Sequence, residues 1–248
     1  VVTVSDVRRR AGSPLRRCAV AAAAAALLAG CGGGTAGHAA GPSAGSAASS
    51  SGSVAGTPLS AGLLPAGAFD PRATVLDLTL DQLRRAVGTA GTTGPTGRVD
   101  PPSCAVAVEG GGPDFTGVAD LAAESADGPA GTTVEALLTG APVQEAVDRV
   151  LGAVAACPQA TVTTAEGTTA TITFRSVPLP PMGDGAAAME VTTSASGSPS
   201  TSALIGVVRD RGRLLLLLSA GRDGAAQDER AFTALLRQAF ATQARALH

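Results

Sequence analysis

The 248-residue chain contains no tryptophan, tyrosine, lysine or asparagine and only two histidines. Each absence removes a class of chemistry. Without Lys there is no Walker P-loop, no Schiff base and no Ser-x-x-Lys nucleophile of the penicillin-binding type. His38 lies in a Gly/Ser/Ala tract and His248 is the last residue. The folding part therefore has no histidine for a Ser-His-Asp triad, a Cys-His pair or a His-ligated zinc site. With no Trp or Tyr there is no stacking platform for bases or sugars. The aromatic residues are Phe69, Phe115, Phe174, Phe232 and Phe240, so the core must be built from Leu, Val, Ile and Ala. All eighteen basic residues are Arg, which we read as the mark of a GC-rich genome.

The formal charge of −2 hides an asymmetry. The first 30 residues hold five Arg (Arg8, Arg9, Arg10, Arg16, Arg17) and one acid, Asp6, leaving 13 Arg against 19 Asp and Glu from Cys31 onward, a net of −6. A mildly acidic domain without a basic block excludes nucleic acid as a partner, because phosphate neutralisation dominates that affinity. The same charge argues against electrostatic docking on anionic lipid. No cofactor or metal motif is present, and none is expected.

What is present first is an address. Arg16-Arg17, the thirteen-residue apolar stretch from Cys18 to Gly30 and its small-residue end have the form of a secretory signal peptide. The run is shorter than the roughly 20 apolar residues of a membrane span. Leu28-Ala29-Gly30-Cys31 also looks like a bacterial lipobox, in which Cys31 is lipidated, with palmitate expected, and becomes the first mature residue; an ordinary signal cut near Ala29 is the alternative. Residues 31–58, mostly Gly, Ser, Ala and Thr, cannot bury enough apolar surface to order themselves. They form a tether with a reach of roughly 25–30 Å. Residues 59–248 remain as one domain. Gly41-Pro42-Ser43-Ala44-Gly45 spells a nucleophile elbow, but it lies in the tether with neither strand before nor helix after it, so we assign it to chance.

Within the domain, Thr79-Leu80-Asp81-Gln82 matches a capping box and predicts a short helix stopped at Gly88. Strands are predicted over 117–126 and 131–138. A helix starting at Pro142 carries Val143, Ala146, Val147, Val150, Leu151 and Val154 at steps of three and four, with Glu145 and Arg149 as an i,i+4 pair. Alternation in Thr161–Thr164 and Thr169–Phe174 predicts a hairpin with Ile172 and Phe174 on one face. A strand follows over 187–193. The most apolar hairpin pairs Ala203–Val208 with Leu214–Leu218, whose five leucines lack alternation and so predict a strand covered on both faces. A helix from near Asp223 carries Phe232, Leu235, Leu236, Ala239, Phe240 and Ala244. The order predicts an α+β fold, a mainly antiparallel twisted sheet flanked by helices.

Of four cysteines, Cys18 leaves with the signal and Cys31 goes to lipid. Cys104 and Cys157 then form a disulfide in an oxidising compartment, with two buried free thiols as the alternative. Among the acids, Asp114, Asp120, Glu124 and Glu135 lie on or near the first hairpin. Paired carboxylates there would serve a hydrolase; solvated charge on the exposed face of a strand is the simpler account. Arg175, Arg209, Arg213 and Arg222 flank the late strands, where they solvate strand ends or hold an anionic ligand.

Leu80-Asp81-Gln82-Leu83 in an opening helix, Pro101-Pro102-Ser103-Cys104, the helix from Pro142 into Cys157, and the late strand pair followed by a helix over 228–247 together carry a family resemblance. Over about 170 residues the chain resembles the extracellular sensor-like (PknH-like) domain of mycobacterial receptor serine/threonine kinases, a module also found on actinobacterial lipoproteins. The resemblance implies an α+β sandwich with a ligand cleft. It departs from the family in having one bridge where two are typical, and no buried Trp or Tyr.

The function expected is that of a membrane-anchored envelope lipoprotein, held by Cys31 at the outer face of the cytoplasmic membrane. Its sensor-like domain would bind a small molecule, lipid, glycan or protein without catalysis. The alternatives are a lipid or glycolipid carrier and a carboxylate-only hydrolase.

Overall fold

The computed structural model describes residues 57–91, 97–110, 115–140, 143–195, 200–222 and 225–247. The lipobox Leu28-Ala29-Gly30-Cys31, most of the tether, Asp114, Pro142 and Asp223 lie outside the described residues.

The organising element is a nine-stranded antiparallel sheet. Its strands are β1 (Thr74–Asp77), β2 (Arg98–Asp100), β3 (Val118–Gly128), β4 (Gly131–Gly140), β5 (Gln159–Thr163), β6 (Thr169–Ser176), β7 (Gly185–Ala195), β8 (Thr201–Asp210) and β9 (Arg213–Gly221). They lie in the order β1-β3-β4-β9-β8-β7-β6-β5-β2. The helices are α1 (Leu80–Gly91), α2 (Ala105–Gly110), α3 (Ala146–Ala156) and α4 (Glu229–Ala246). Two 3-10 turns, Leu59–Gly62 and Ala66–Ala68, precede β1.

Parity along β9 shows why five leucines run together. Leu214, Leu216 and Leu218 enter the core under α1, α2 and α3, while Leu215 and Leu217 enter a second core under α4 and the 3-10 turns. All five are at most 2% exposed, as a strand covered on both faces requires. The molecule is thus a three-layer sandwich, and its interior is filled by side chains on both faces. At the β8–β9 hairpin, Arg211 and Gly212 both have positive φ, 49° and 74°, the conformation of the tight turns whose twist matches the flanking strands.

The helix termini follow local chemistry. The Thr79 N–H donates to Gln82 Oε1 at 2.8 Å and the Gln82 N–H to Thr79 Oγ1 at 3.4 Å, the reciprocal capping box the sequence predicts. Helix α1 passes Gly88 and ends at Gly91, because Gly lowers helix propensity by only about 1 kcal/mol and does not forbid continuation. Helix α3 starts at Ala146 rather than at Pro142, behind a turn whose Val143 is buried. It buries Ala146, Val147, Val150 and Ala153 and leaves Leu151 49% exposed, a narrower stripe than predicted. Arg149 and Glu145 pair at 3.1 Å as expected.

Helix α4 starts at Glu229, later than predicted, because Asp228 caps it, accepting from the Arg230 and Ala231 amides at 2.9 and 3.1 Å. Asp228→Ala is expected to cost about 1 kcal/mol. For a domain of this size that lowers Tm by about 2–4 °C, checked by calorimetry. Arg175 on β6 holds the same end of the helix through Glu229 at 2.5 Å and grips Glu190 on β7 at 2.6 Å. Gly206 lets α4 approach β8. A Cβ there would lie 2.8 Å from Leu236 Cδ2 and 3.1 Å from Phe232 Cζ.

Cys104 and Cys157 are bonded, with S–S 2.06 Å and Cα–Cα 5.2 Å. Both are buried. The bridge joins the 3-10 turn before α2 to the residue that ends α3. It thereby ties two of the three helices that cover one face of the sheet.

Candidate functional site

Two rows of side chains cross the sheet on the face beneath α4. The register of β1, β3, β4, β9 and β8 sets Asp77, Glu124, Glu135, Leu217 and Gly206 side by side. Directly opposite residues of antiparallel strands share a face, with Cβ atoms about 4.5–5.5 Å apart. Three carboxyl groups therefore stand in a line, and their exposure falls inward: Asp77 is exposed, Glu124 is 7% exposed and Glu135 is 0% exposed. Glu124 and Glu135 are thus not solvated charges on an open face. Leu137, two residues from Glu135 on the same face and in the α4-side core, is the local sign that this face is covered.

Above the pair runs the segment 59–73, here called the strap. Its Leu64 N–H donates to Glu135 Oε2 at 3.1 Å, while Glu135 Oε1 and Glu124 Oε1 are buried without a hydrogen-bond partner among the described residues. Removing a carboxylate from water penalises its charged form. Burial pushes the Glu135 carboxyl up to about 8, opposed by the Leu64 amide and reinforced by Glu124. Burial, and then the charge of Asp77, also raises Glu124. Asp120 lies exposed farther along β3. The carboxylates proposed for a hydrolase are therefore brought together in one respect, since Glu124 and Glu135 are neighbours. They are sealed under the strap, however, where a sugar cannot reach.

The adjacent row holds the concavity. Ala126 faces Thr133 and Thr133 faces Ser219, forming the floor of a cleft of about 250 Å³. The strap supplies one wall with Ala68, Phe69, Asp70 and Ala73, and the lead-in and first turns of α4 supply the other with Gln227, Ala231 and Leu235. Ser219 Oγ donates to Gln227 Oε1 at 2.6 Å, so its hydroxyl is held by an amide and not by a base. Asp70 is engaged by Arg72 through the backbone amide at 2.8 Å and the guanidinium at 3.2 Å, contacts that hold its carboxyl below the usual range. The lining is otherwise Ala, Gly, Leu and Phe. Small apolar walls with a few hydrogen-bonding groups are the composition of a binding site.

The four arginines do not converge. Arg175 is paired with Glu190 and Glu229, Arg222 with Asp127 at 2.9 Å, and Arg209 donates to the Gln144 carbonyl at 2.8 Å. Arg213 donates to the Leu247 carbonyl at 2.8 Å, at the end of α4. Each serves local structure, and together they make no anion site. Among the described residues no group of three His, Cys, Asp or Glu side chains could hold a metal ion, and no helix is long and apolar enough to cross a membrane.

The residues alone gave no sign of the strap beyond Phe69, and a cleft was expected only through the family resemblance. Phe69 is one of only five aromatic residues, and an isolated Phe beside a short strand must find cover.

No protein-family model and no curated protein matches the chain. Among solved structures it is similar to an uncharacterized protein of Mycobacterium smegmatis, an ortholog of Rv0999, with 16% identity, a TM-score of 0.49 and coverage of 71% of this chain and 91% of that one. It is also similar to the extracellular domain of PknH from Mycobacterium tuberculosis, with 10% identity, a TM-score of 0.36 and coverage of 67% and 82%.

Proposed function

We propose that the chain is an exported envelope lipoprotein, anchored through Cys31, whose domain binds a small ligand in the cleft between the strap and α4 without transforming it. The cleft itself carries the proposal: a concavity of about 250 Å³ with apolar walls, floored by Thr133 and Ser219 and bordered by Gln227. The buried Cys104–Cys157 bond supports an oxidising compartment, in agreement with the signal-like first 30 residues. A non-catalytic role is supported by the amide partner of Ser219, the sealed carboxyl pair and the lack of histidine between positions 39 and 247. Asp70, the one charged side chain among the described lining residues, is paired with Arg72, which favours an uncharged ligand with one or two polar groups.

Ala231→Phe, at an exposed position on the α4 wall, is designed to fill the cleft without disturbing the core. Fractions of envelope extract are expected to raise Tm of the wild-type protein, as any ligand selective for the folded state must, and to leave the variant unchanged. Equal shifts in both proteins, or no shift with any fraction, would contradict the assignment.

A further inference from the structure

The Glu124–Glu135 pair is more than a buried curiosity, because of what lies over it. We propose that the two carboxyl groups form a proton-binding site that latches the strap onto the sheet, so that losing the proton loosens the wall of the cleft.

The geometry carries this in three steps. First, the two groups are cross-strand neighbours on one face, both more than nine-tenths buried, and each leaves Oε1 without a partner. Two ionised oxygens are both acceptors and repel one another. One bound proton neutralises one of the two groups and removes the repulsion, as for other carboxyl groups that share a buried site.

Second, among the described residues no cation neutralises the pair. Asp77, opposite Glu124 on the edge strand β1, adds negative charge, and Asp120 lies exposed four residues away along β3. On the same face β9 presents Leu215 and Leu217, and its Arg213 is engaged at the end of α4. On the strap, Asp70 and Arg72 pair with each other. Helix α4 buries Gln243 and keeps Arg237 and Arg245 exposed.

Third, Glu135 is tied to the strap itself by the Leu64 amide. An ionised Glu135 must regain water, and lifting the strap is the route that leaves the sheet intact. The same segment carries Phe69 and Asp70 into the cleft, so strap position and cleft shape change together. The inference rests on the ligand-cleft reading only for what the strap uncovers, and its test requires no ligand.

Hydrogen exchange of the full chain, corrected for intrinsic rates, measures strap opening directly. With Glu135 protonated in the closed state and ionised in the open one, linkage makes opening about tenfold more favourable per pH unit across the window between their two pKa values. Amides of residues 59–69 are expected to be less protected than those of β8 and β9. They are expected to lose about a hundredfold in protection from pH 5.5 to 7.5, while Glu135→Gln keeps its protection constant. Strap protection independent of pH in the wild type, strap exchange only in step with β8 and β9, or an undiminished pH dependence in Glu135→Gln would overturn the proposal. If Glu135→Gln does not fold, Glu124→Gln serves. Removing the neighbouring charge is expected to end the fall in protection at lower pH, and an unchanged profile counts against the pair.

Discussion

Raising the pH from 5 to 8 is expected to destabilise the folded chain by about 4 kcal/mol, most of it through Glu135. The sign follows from linkage. In the unfolded chain this carboxyl titrates near its ordinary value of 4.5, and in the fold burial lifts it to about 8. Between these values the unfolded state has released the proton and the native state keeps it, so stability falls as pH rises. Each unit of separation is worth about 1.4 kcal/mol. The contribution is fully present below pH 4.5 and is lost as pH passes 8. Glu124 is shifted in the same direction. Asp70, Asp127 and Glu166 are shifted the opposite way, but they are solvent-screened and their effect on stability is small. Denaturant unfolding at a series of pH values provides the check. The wild type is expected to lose stability steadily from pH 5 to 8, and Glu135→Gln to remain nearly level and to be the more stable protein at pH 8. A level wild-type profile would show that Glu135 is ionised in the fold.

Replacing Cys104 and Cys157 by alanine is expected to cost a similar amount. The bond closes a loop of 53 residues, which in the chain-entropy model restricts the unfolded state by about 4 kcal/mol. For a domain of this size the loss corresponds to a fall in Tm of about 8–16 °C. The consequence should be local first. With the bridge gone, α2 and the end of α3 lose their covalent link over the sheet, so amides of 102–110 and 153–157 are expected to lose more protection than those of β8 and β9. Reducing agent should reproduce the effect slowly, because both sulfurs are buried. An unchanged Tm in the double variant would place the stabilisation elsewhere.

The strongly patterned elements were legible from the residues alone. The capping box at Thr79 and Gln82, the Ile172/Phe174 alternation and the non-alternating leucines of β9 each encode their environment within a few positions. The pairing of Cys104 with Cys157 followed from the expectation that Cys18 leaves with a signal peptide and Cys31 carries lipid. Elements with little local signal were missed. β1 and β2, of four and three residues, are too short for periodicity, and α2 is a single short run after two prolines. β3 and β4 were placed correctly, but the environment of their second face was not. Alternation shows that a strand has two faces, whereas what covers each face depends on distant chain. Here the cover is the strap, 71 positions away from Glu135 in sequence at Leu64. A Glu on a strand reads as a solvated charge until that cover is known. For the same reason the cleft, assembled from the strap, the floor strands and α4, had no signature in any one segment.

Export and anchoring are the claims on which the functional account depends most, and one measurement addresses both. Intact-mass analysis of the chain recovered from the membrane fraction is expected to show cleavage before Cys31, a lipid adduct on that cysteine, and Cys104 and Cys157 resistant to alkylation until reduced. An unmodified Cys31, or a chain that retains residues 1–30, would contradict the account.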